Sequence, residues 1–212
     1  MEKVLHARIA FRLSIIFAGA ILAKGRRTAS SWFRAAGVKD DWDRFYDALI
    51  SIGKGVVSLA SPLLKVIVAR FDAGPDGYWT FGVDDSPTKR FGPKVEGANI
   101  HHNPTPGPVD GDWLYGHNWV CLAMLMTHPQ WGVIALPILS LWYVRQCDVA
   151  AFDAKYGWKF QSKLEMALQM ITRIVHILRA LGSKAKMLAV FDGAYAARSL
   201  IQPLLDLGVT VV

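Results

Sequence analysis

Cysteine is scarce. Cys121 and Cys147 are the only two in 212 residues, far apart and in no CxxC pair. That excludes a zinc ribbon or a disulfide framework and suits a reducing compartment. Charge is also sparse, at 19% of residues, against 52% hydrophobic and eight Trp, which excludes an intrinsically disordered chain. Long hydrophobic runs are missing as well. Leu13 to Ala23 is apolar and preceded by Lys3, Arg8 and Arg12, like the core of a secretory signal. It falls short of the ~20 residues of a membrane span, and it leads into Lys24-Gly25-Arg26-Arg27 without a cleavage site. Val133 to Val144 is short too, and Pro137 interrupts it. Both read as core elements, so no membrane partner and a cytoplasmic location are expected.

What charge there is lies unevenly. Residues 1–70 hold twelve Lys/Arg against five Asp/Glu, a balance of +7, whereas residues 71–212 hold twelve against twelve. A basic segment joined to a neutral one suggests a polyanion held by the first part and processed by the second. The plainer alternative is a solvated basic surface. The basic part reads as helices over residues 3–23, 28–36, 42–52 and 56–71. Thr28 and Asp40 or Asp41 serve as N-caps, and Gly37 as a stop. Two short helices around a glycine-containing turn allow a helix-turn-helix, with Arg26, Arg27 and Arg34 as DNA contacts. A domain boundary is expected near residue 72, at the turn-forming Asp72-Ala73-Gly74-Pro75-Asp76-Gly77.

The second part is organised around Tyr78-Trp79-Thr80-Phe81-Gly82-Val83-Asp84-Asp85-Ser86. Trp79, Phe81 and Val83 alternate like the buried face of a strand, with Asp84 and Asp85 expected at its C-terminal tip. A second apolar strand, Met187 to Phe191, also ends in an acid, Asp192. Between them, residues 87–112 read as a long loop, with a short strand over 98–102. Strands over 119–126 and 133–139 follow. A helix over 160–181 comes next, with Ser162-Lys163-Leu164-Glu165 matching a capping box. After Asp192 come a helix over 194–207 and a strand from Val209. The order strand, strand, strand, helix, strand, helix, strand predicts an α/β fold. A helical region leads into an incomplete ribonuclease-H-like mixed sheet, in which a right-handed crossover sets the Asp192 strand parallel to the first.

Val83-Asp84-Asp85-Ser86-Pro87-Thr88-Lys89-Arg90-Phe91-Gly92, Gly116-His117-Asn118-Trp119-Val120 and Val190-Phe191-Asp192-Gly193-Ala194-Tyr195 resemble insertion-sequence transposases of the DDE type. Gly25-Arg26-Arg27-Thr28, Trp32 and Ala36-Gly37 also look like their leading helices. The resemblance covers nearly the whole chain. It implies a DNA endonuclease and strand transferase, associated with the nucleoid, with room for a homodimer. Asp84 and Asp192 would be the first two catalytic carboxylates and would hold Mg²⁺ or Mn²⁺. Asp85 would be a variable neighbour. The family's third carboxylate, a Glu beyond the fifth strand, has no match, so the resemblance implies a transposase cut short. Glu165 precedes Asp192 and reads as a cap, and Gln202 is an amide only ten residues beyond it.

The chemistry asks for such residues. Phosphodiester cleavage needs an activated water and a stabilised leaving oxygen, which two ions roughly 3.5–4 Å apart supply. Mg²⁺ takes hard oxygen ligands, and strand-borne aspartates hold them rigidly. Lys89, Arg90 and Lys94 follow the first acid and could contact phosphates. His101, His102, Asp110, Asp112 and His117 could form a separate metal cluster, but their irregular spacing favours polar loop residues. Trp113, Trp119, Trp131 and Trp142 read as core. Two rival functions remain. One is a DNA-binding remnant without catalysis. The other is an aspartyl phosphohydrolase, disfavoured because Ser86 stands where that chemistry wants a second acid.

Overall fold

A computed structural model describes residues 5–103, 106–108 and 110–212. Lys3 and the expected helical residues 3 and 4 lie outside these, as do residues 104, 105 and 109 of the expected loop. The chain divides into two compact units, residues 1–62 and 63–212.

The first unit holds α1 (Ala7–Leu22), α2 (Ala29–Ala35), α3 (Trp42–Lys54) and the opening of α4 (Val56–Val68). Thr28 caps α2, its hydroxyl accepting from the Ser31 amide. Asp41 stands at the cap of α3 but makes no side-chain cap bond; its carboxylate pairs with Arg44 at 3.1 Å. Phe33 sits fully buried at the centre, with ring centroids 5.8, 5.4 and 5.1 Å from Trp42, Phe45 and Tyr46. Ile16, Trp32 and Leu49 complete that core. α1 lies tight on α2 at Gly19, where a Cβ would stand 2.0 Å from the Trp32 carbonyl oxygen. Among the described residues no single helix is long and apolar enough to cross a membrane.

The second unit is built on a mixed sheet of β1 (Tyr78–Lys89), β2 (Asn99–His102), β3 (Trp113–His128), β4 (Gly132–Tyr143), β5 (Lys186–Phe191) and β6 (Val209–Val211). β3 is the long central strand. β1 pairs antiparallel along one edge of it, while β4 and then the short β2 share the other. β5 pairs parallel to the far edge of β1, and β6 parallel to β5. The connection from β4 to β5 carries α5 (Val149–Tyr156) and α6 (Lys163–Ala180), and α7 (Arg198–Asp206) links β5 to β6. Met166, Met170, Ile171, Ile174 and Leu178 of α6 are buried with Phe81, Leu122, Met124 and Ala189 of the sheet, and with Leu200 and Leu204 of α7. Alternation along β1 places Trp79, Phe81 and Val83 inside, as their spacing predicts.

Several expected boundaries move. β1 does not stop at its acids: β3 pairs with it as far as Lys89 opposite Gly116, so Asp84 and Asp85 lie within the strand and not at its tip. β4 passes through Pro137 with a register shift opposite Leu122 and Ala123, where Ile138 is the extra residue. A proline lacking its N–H is tolerated next to such a bulge. α5 is an element the sequence pattern does not announce. α7 begins at Arg198, because residues 193–195 form a separate 3-10 turn.

The capping box at α6 is complete. The Ser162 amide donates to Glu165 Oε2 at 2.7 Å, and the Glu165 amide donates to Ser162 Oγ at 3.3 Å. The Ser162 amide, and then its hydroxyl at 2.8 Å, both donate to Glu165 Oε2 and hold that carboxyl below the usual range. Glu165 is therefore occupied as a cap. Ser162→Ala should lower unfolding free energy by about 1 kcal/mol, measured by urea denaturation; an unchanged midpoint would mean that packing alone fixes the start of α6.

Candidate active site

The register of β1 and β5 sets the site. Their last pair is Val83 with Phe191, so the next residue on each strand is an aspartate, Asp84 and Asp192. Neighbouring strands run ~5 Å apart. Beyond this point β5 no longer flanks β1, and the freed edge opens onto a cavity of about 250 Å³. Asp84, Asp85 and Asp192 all line it, together with His101, His102, Asn118, Lys163 and Tyr195. Neighbouring residues on a strand point to opposite faces. Both Asp84 and Asp85 reach the cavity because it lies at the strand's open edge.

The three acids differ in their partners. Asp84 Oδ1 accepts from the Asp85 amide at 2.7 Å, and Asp192 Oδ1 accepts from the Ala194 amide at 3.0 Å, capping the 3-10 turn. Both side chains are exposed, and among the described residues neither makes an ion pair. Asp85 is engaged on both oxygens. Lys163 Nζ donates to Oδ2, and the Tyr195 hydroxyl donates to Oδ1 at 2.6 Å. Burial raises the Tyr195 phenol well above its ordinary range, and the bond to Asp85 and the charges of Asp85, Asp84 and Asp192 raise it further. The phenol therefore remains a donor. Lys163 is steadied from its other side by the Tyr143 ring, 5.3 Å away.

The opposite wall is neutral. His101, 8% exposed, is held below the ordinary histidine value by burial first and then by the charges of Arg145 and Lys163, which keeps its ring uncharged near neutral pH. Asn118, 5% exposed, has a buried Oδ1 that accepts no hydrogen bond among the described residues. An orphaned buried acceptor is costly unless something fills it.

Two unpaired carboxylates are hard-oxygen donors of the kind a small divalent cation takes, and Asp84 and Asp192 fit that role. Asn118, paired opposite Pro87, lies on the other face of the sheet from Asp84. Among the described residues no group of three or more His, Cys, Asp or Glu is arranged as a ready metal site. The alternative cluster is dispersed. His101 and His102 lie on β2 and His117 on β3, so these are strand residues, not loop residues. His117 Nε2 lies 2.9 Å from the Glu96 carbonyl oxygen, and Asp110 takes an ion pair from Lys89 at 2.5 Å.

The expected DNA contacts fall in both units. Arg26, Arg27 and Arg34 are exposed in the first, and Arg34 stacks on Trp42 at 5.7 Å. In the second, Lys89 is tied to Asp110, and Arg90 donates through Nε to His117 Nδ1 at 3.3 Å. Two of the tryptophans read as core are not: Trp113 is 65% exposed and Trp131 71% exposed, the latter stacked on His128. Sequence reasoning missed Lys163 and Asn118 as site residues. Lys163 carried a visible clue, as an odd cation at a helix N-terminus, where the dipole disfavours it.

No family model, curated protein or solved structure matches the chain.

Proposed function

We propose that this chain is a metal-dependent DNA endonuclease and strand transferase of the DDE transposase class, with a ribonuclease-H-like catalytic unit. The observation that carries the reading is the pair Asp84 and Asp192, each one residue past the last β1–β5 bridge at the mouth of one cavity. The strand order supports it. Antiparallel β1, β3 and β4, with the short β2 beside β3, come first, then a helical crossover to a strand parallel with the first, then a further parallel strand outside. A bound divalent cation supplies activation of water and stabilisation of the leaving oxygen. Asp84 holds it from β1 and Asp192 from the residue that follows β5. The exposed Arg26, Arg27 and Arg34 bind the DNA backbone.

Two measurements test this. The full chain should nick supercoiled DNA in Mn²⁺, and not after chelation with EDTA; nicking that survives Asp192→Ala would put the chemistry elsewhere. DNA binding should weaken with salt, and replacing Arg26, Arg27 and Arg34 by Ala should lower the log–log slope by about 0.9 for each phosphate that these arginines neutralise. An unchanged slope would remove these arginines from the interface. Retained binding with no nicking under any divalent cation would favour a DNA-binding remnant.

A further inference from the structure

Asp84 and Asp192 lie on one face of the sheet, and the side chain that connects them lies on the other. Trp79, Phe81 and Val83 face the core, and alternation puts Asp85 on that same inner face. Asp84 leaves β1 on the opposite face, and Asp192, which follows the Val83 partner Phe191, shares its side. Asp85 is bonded toward both acids. Its amide donates to Asp84 Oδ1 at 2.7 Å, and its own Oδ1 accepts from the Tyr195 hydroxyl at 2.6 Å. Tyr195 closes the turn that Asp192 opens. Its amide donates to the Asp192 carbonyl oxygen at 3.1 Å, and the neighbouring Ala194 amide donates to Asp192 Oδ1 at 3.0 Å. Hydrogen bonds and one short turn thus join the Asp84 carboxylate to the Asp192 carboxylate without a break. The Tyr195 ring is 3% exposed and stacks on Phe191 at 5.7 Å, which leaves its hydroxyl little freedom to seek another partner. Lys163 takes the second Asp85 oxygen and fixes the plane of that carboxylate.

We propose that Asp85 and Tyr195 are positioning residues, and that the bond between them sets the Asp192 turn against Asp84. The proposal rests on the reading that Asp84 and Asp192 carry the chemistry, and it adds what fixes their spacing. Neither Asp85 nor Tyr195 touches the reacting atoms; each acts through the acid beside it. Asp192 stands one residue past the last β1–β5 bridge, so the ladder alone does not fix its side chain. The phenol supplies the missing tie, reaching from the turn back to β1 where the two strands part. Such a tie matters because misplacing a reacting group by about 1 Å costs on the order of a hundredfold in rate.

The experiment compares the full chain with Tyr195→Phe, which removes one oxygen and keeps the buried ring, by amide hydrogen exchange and by Mn²⁺-dependent nicking. Exchange at Ala194 reports whether Asp192 still caps its turn, and it needs no activity. Tyr195→Phe should lose protection at Ala194 while the amides of the β1–β5 ladder keep theirs. Its nicking kcat should fall by about 10–100-fold, the usual cost of removing a partner behind a reactive ligand, with KM for DNA unchanged. Asp85→Ala should show the same losses, and the double variant should be no worse than Asp85→Ala alone, because both changes remove one bond. Losses that multiplied in the double variant would mean that the two residues act independently and would overturn the proposal. Either single variant that folds, checked by circular dichroism, decides the question by itself. Wild-type protection at Ala194 in Tyr195→Phe overturns the tie. Lost protection with unchanged nicking overturns the positioning role. If the wild-type chain does not nick DNA, the endonuclease reading falls, and exchange at Ala194 still decides whether the tie exists.

Discussion

With Asp84→Ala or Asp192→Ala, Mn²⁺-dependent nicking should fall to background, a loss on the order of a thousandfold or more. A cation that loses one of two anionic ligands is held poorly, and its contribution to the transition state is several kcal/mol. Each 1.36 kcal/mol is tenfold in rate, so three decades is a moderate expectation. Neither side chain carries packing: both are exposed, and each accepts only a local backbone amide. The variants should therefore unfold close to the wild-type midpoint. That separates lost chemistry from lost structure. Asp192→Ala forfeits the cap on the following turn and should cost about 1 kcal/mol in stability; Asp84→Ala should cost less. Nicking within tenfold of wild type in both variants would mean that the two aspartates do not hold the reactive cation.

Gly116→Ala should be strongly destabilising to the second unit. Gly116 pairs with Lys89 of β1 on one side and Asn99 of β2 on the other, at the junction of three strands. A Cβ there would lie 2.1 Å from the Thr88 carbonyl oxygen and 2.9 Å from its carbon, both backbone atoms that no rotamer change can move. Relief requires β1 and β3 to separate over the segment that carries Asp84 and Asp85 on one strand and Asn118 on the other. Forced shifts of packed backbone cost about 1–3 kcal/mol or more, and a domain's whole margin is only about 5–15 kcal/mol. Chemical denaturation should show the loss, and Mn²⁺ affinity should fall with it because the walls of the cavity move apart. Wild-type stability in Gly116→Ala would mean that the strands tolerate separation there.

Much of this architecture was readable from local pattern. Alternation at Trp79, Phe81 and Val83, the apolar stripe and capping box of α6, and the acid closing β5 are all local signals, and each element lies where its residues point. What failed was decided by distant partners. Asp84-Asp85-Ser86-Pro87 has turn-like composition, yet the long partner β3 carries β1 through it, a tertiary override of strand propensity. α5 has too weak a periodicity to announce a helix. Trp113 and Trp131 read as core from residue type alone but occupy solvent-facing positions. Lys163 looked like part of a cap, and its bond to Asp85 spans 78 residues of sequence. Asn118 was visible only as one residue of a motif; that its oxygen is buried without a donor is a fact of three dimensions.

The bulge in β4 bears on how this molecule behaves in a crowded solution. β4 pairs with β3 on one side, and its other edge has no strand partner among the described residues. An unpaired strand edge offers a template to which a strand from another chain could add. Pro137 removes one amide donor from that strand, and the extra residue at Ile138 breaks the even spacing of the others. An incoming strand would meet a missing hydrogen bond and a slipped register at the same place. The irregularity that spoils the regularity of β4 thus makes this edge a poorer template for an added strand.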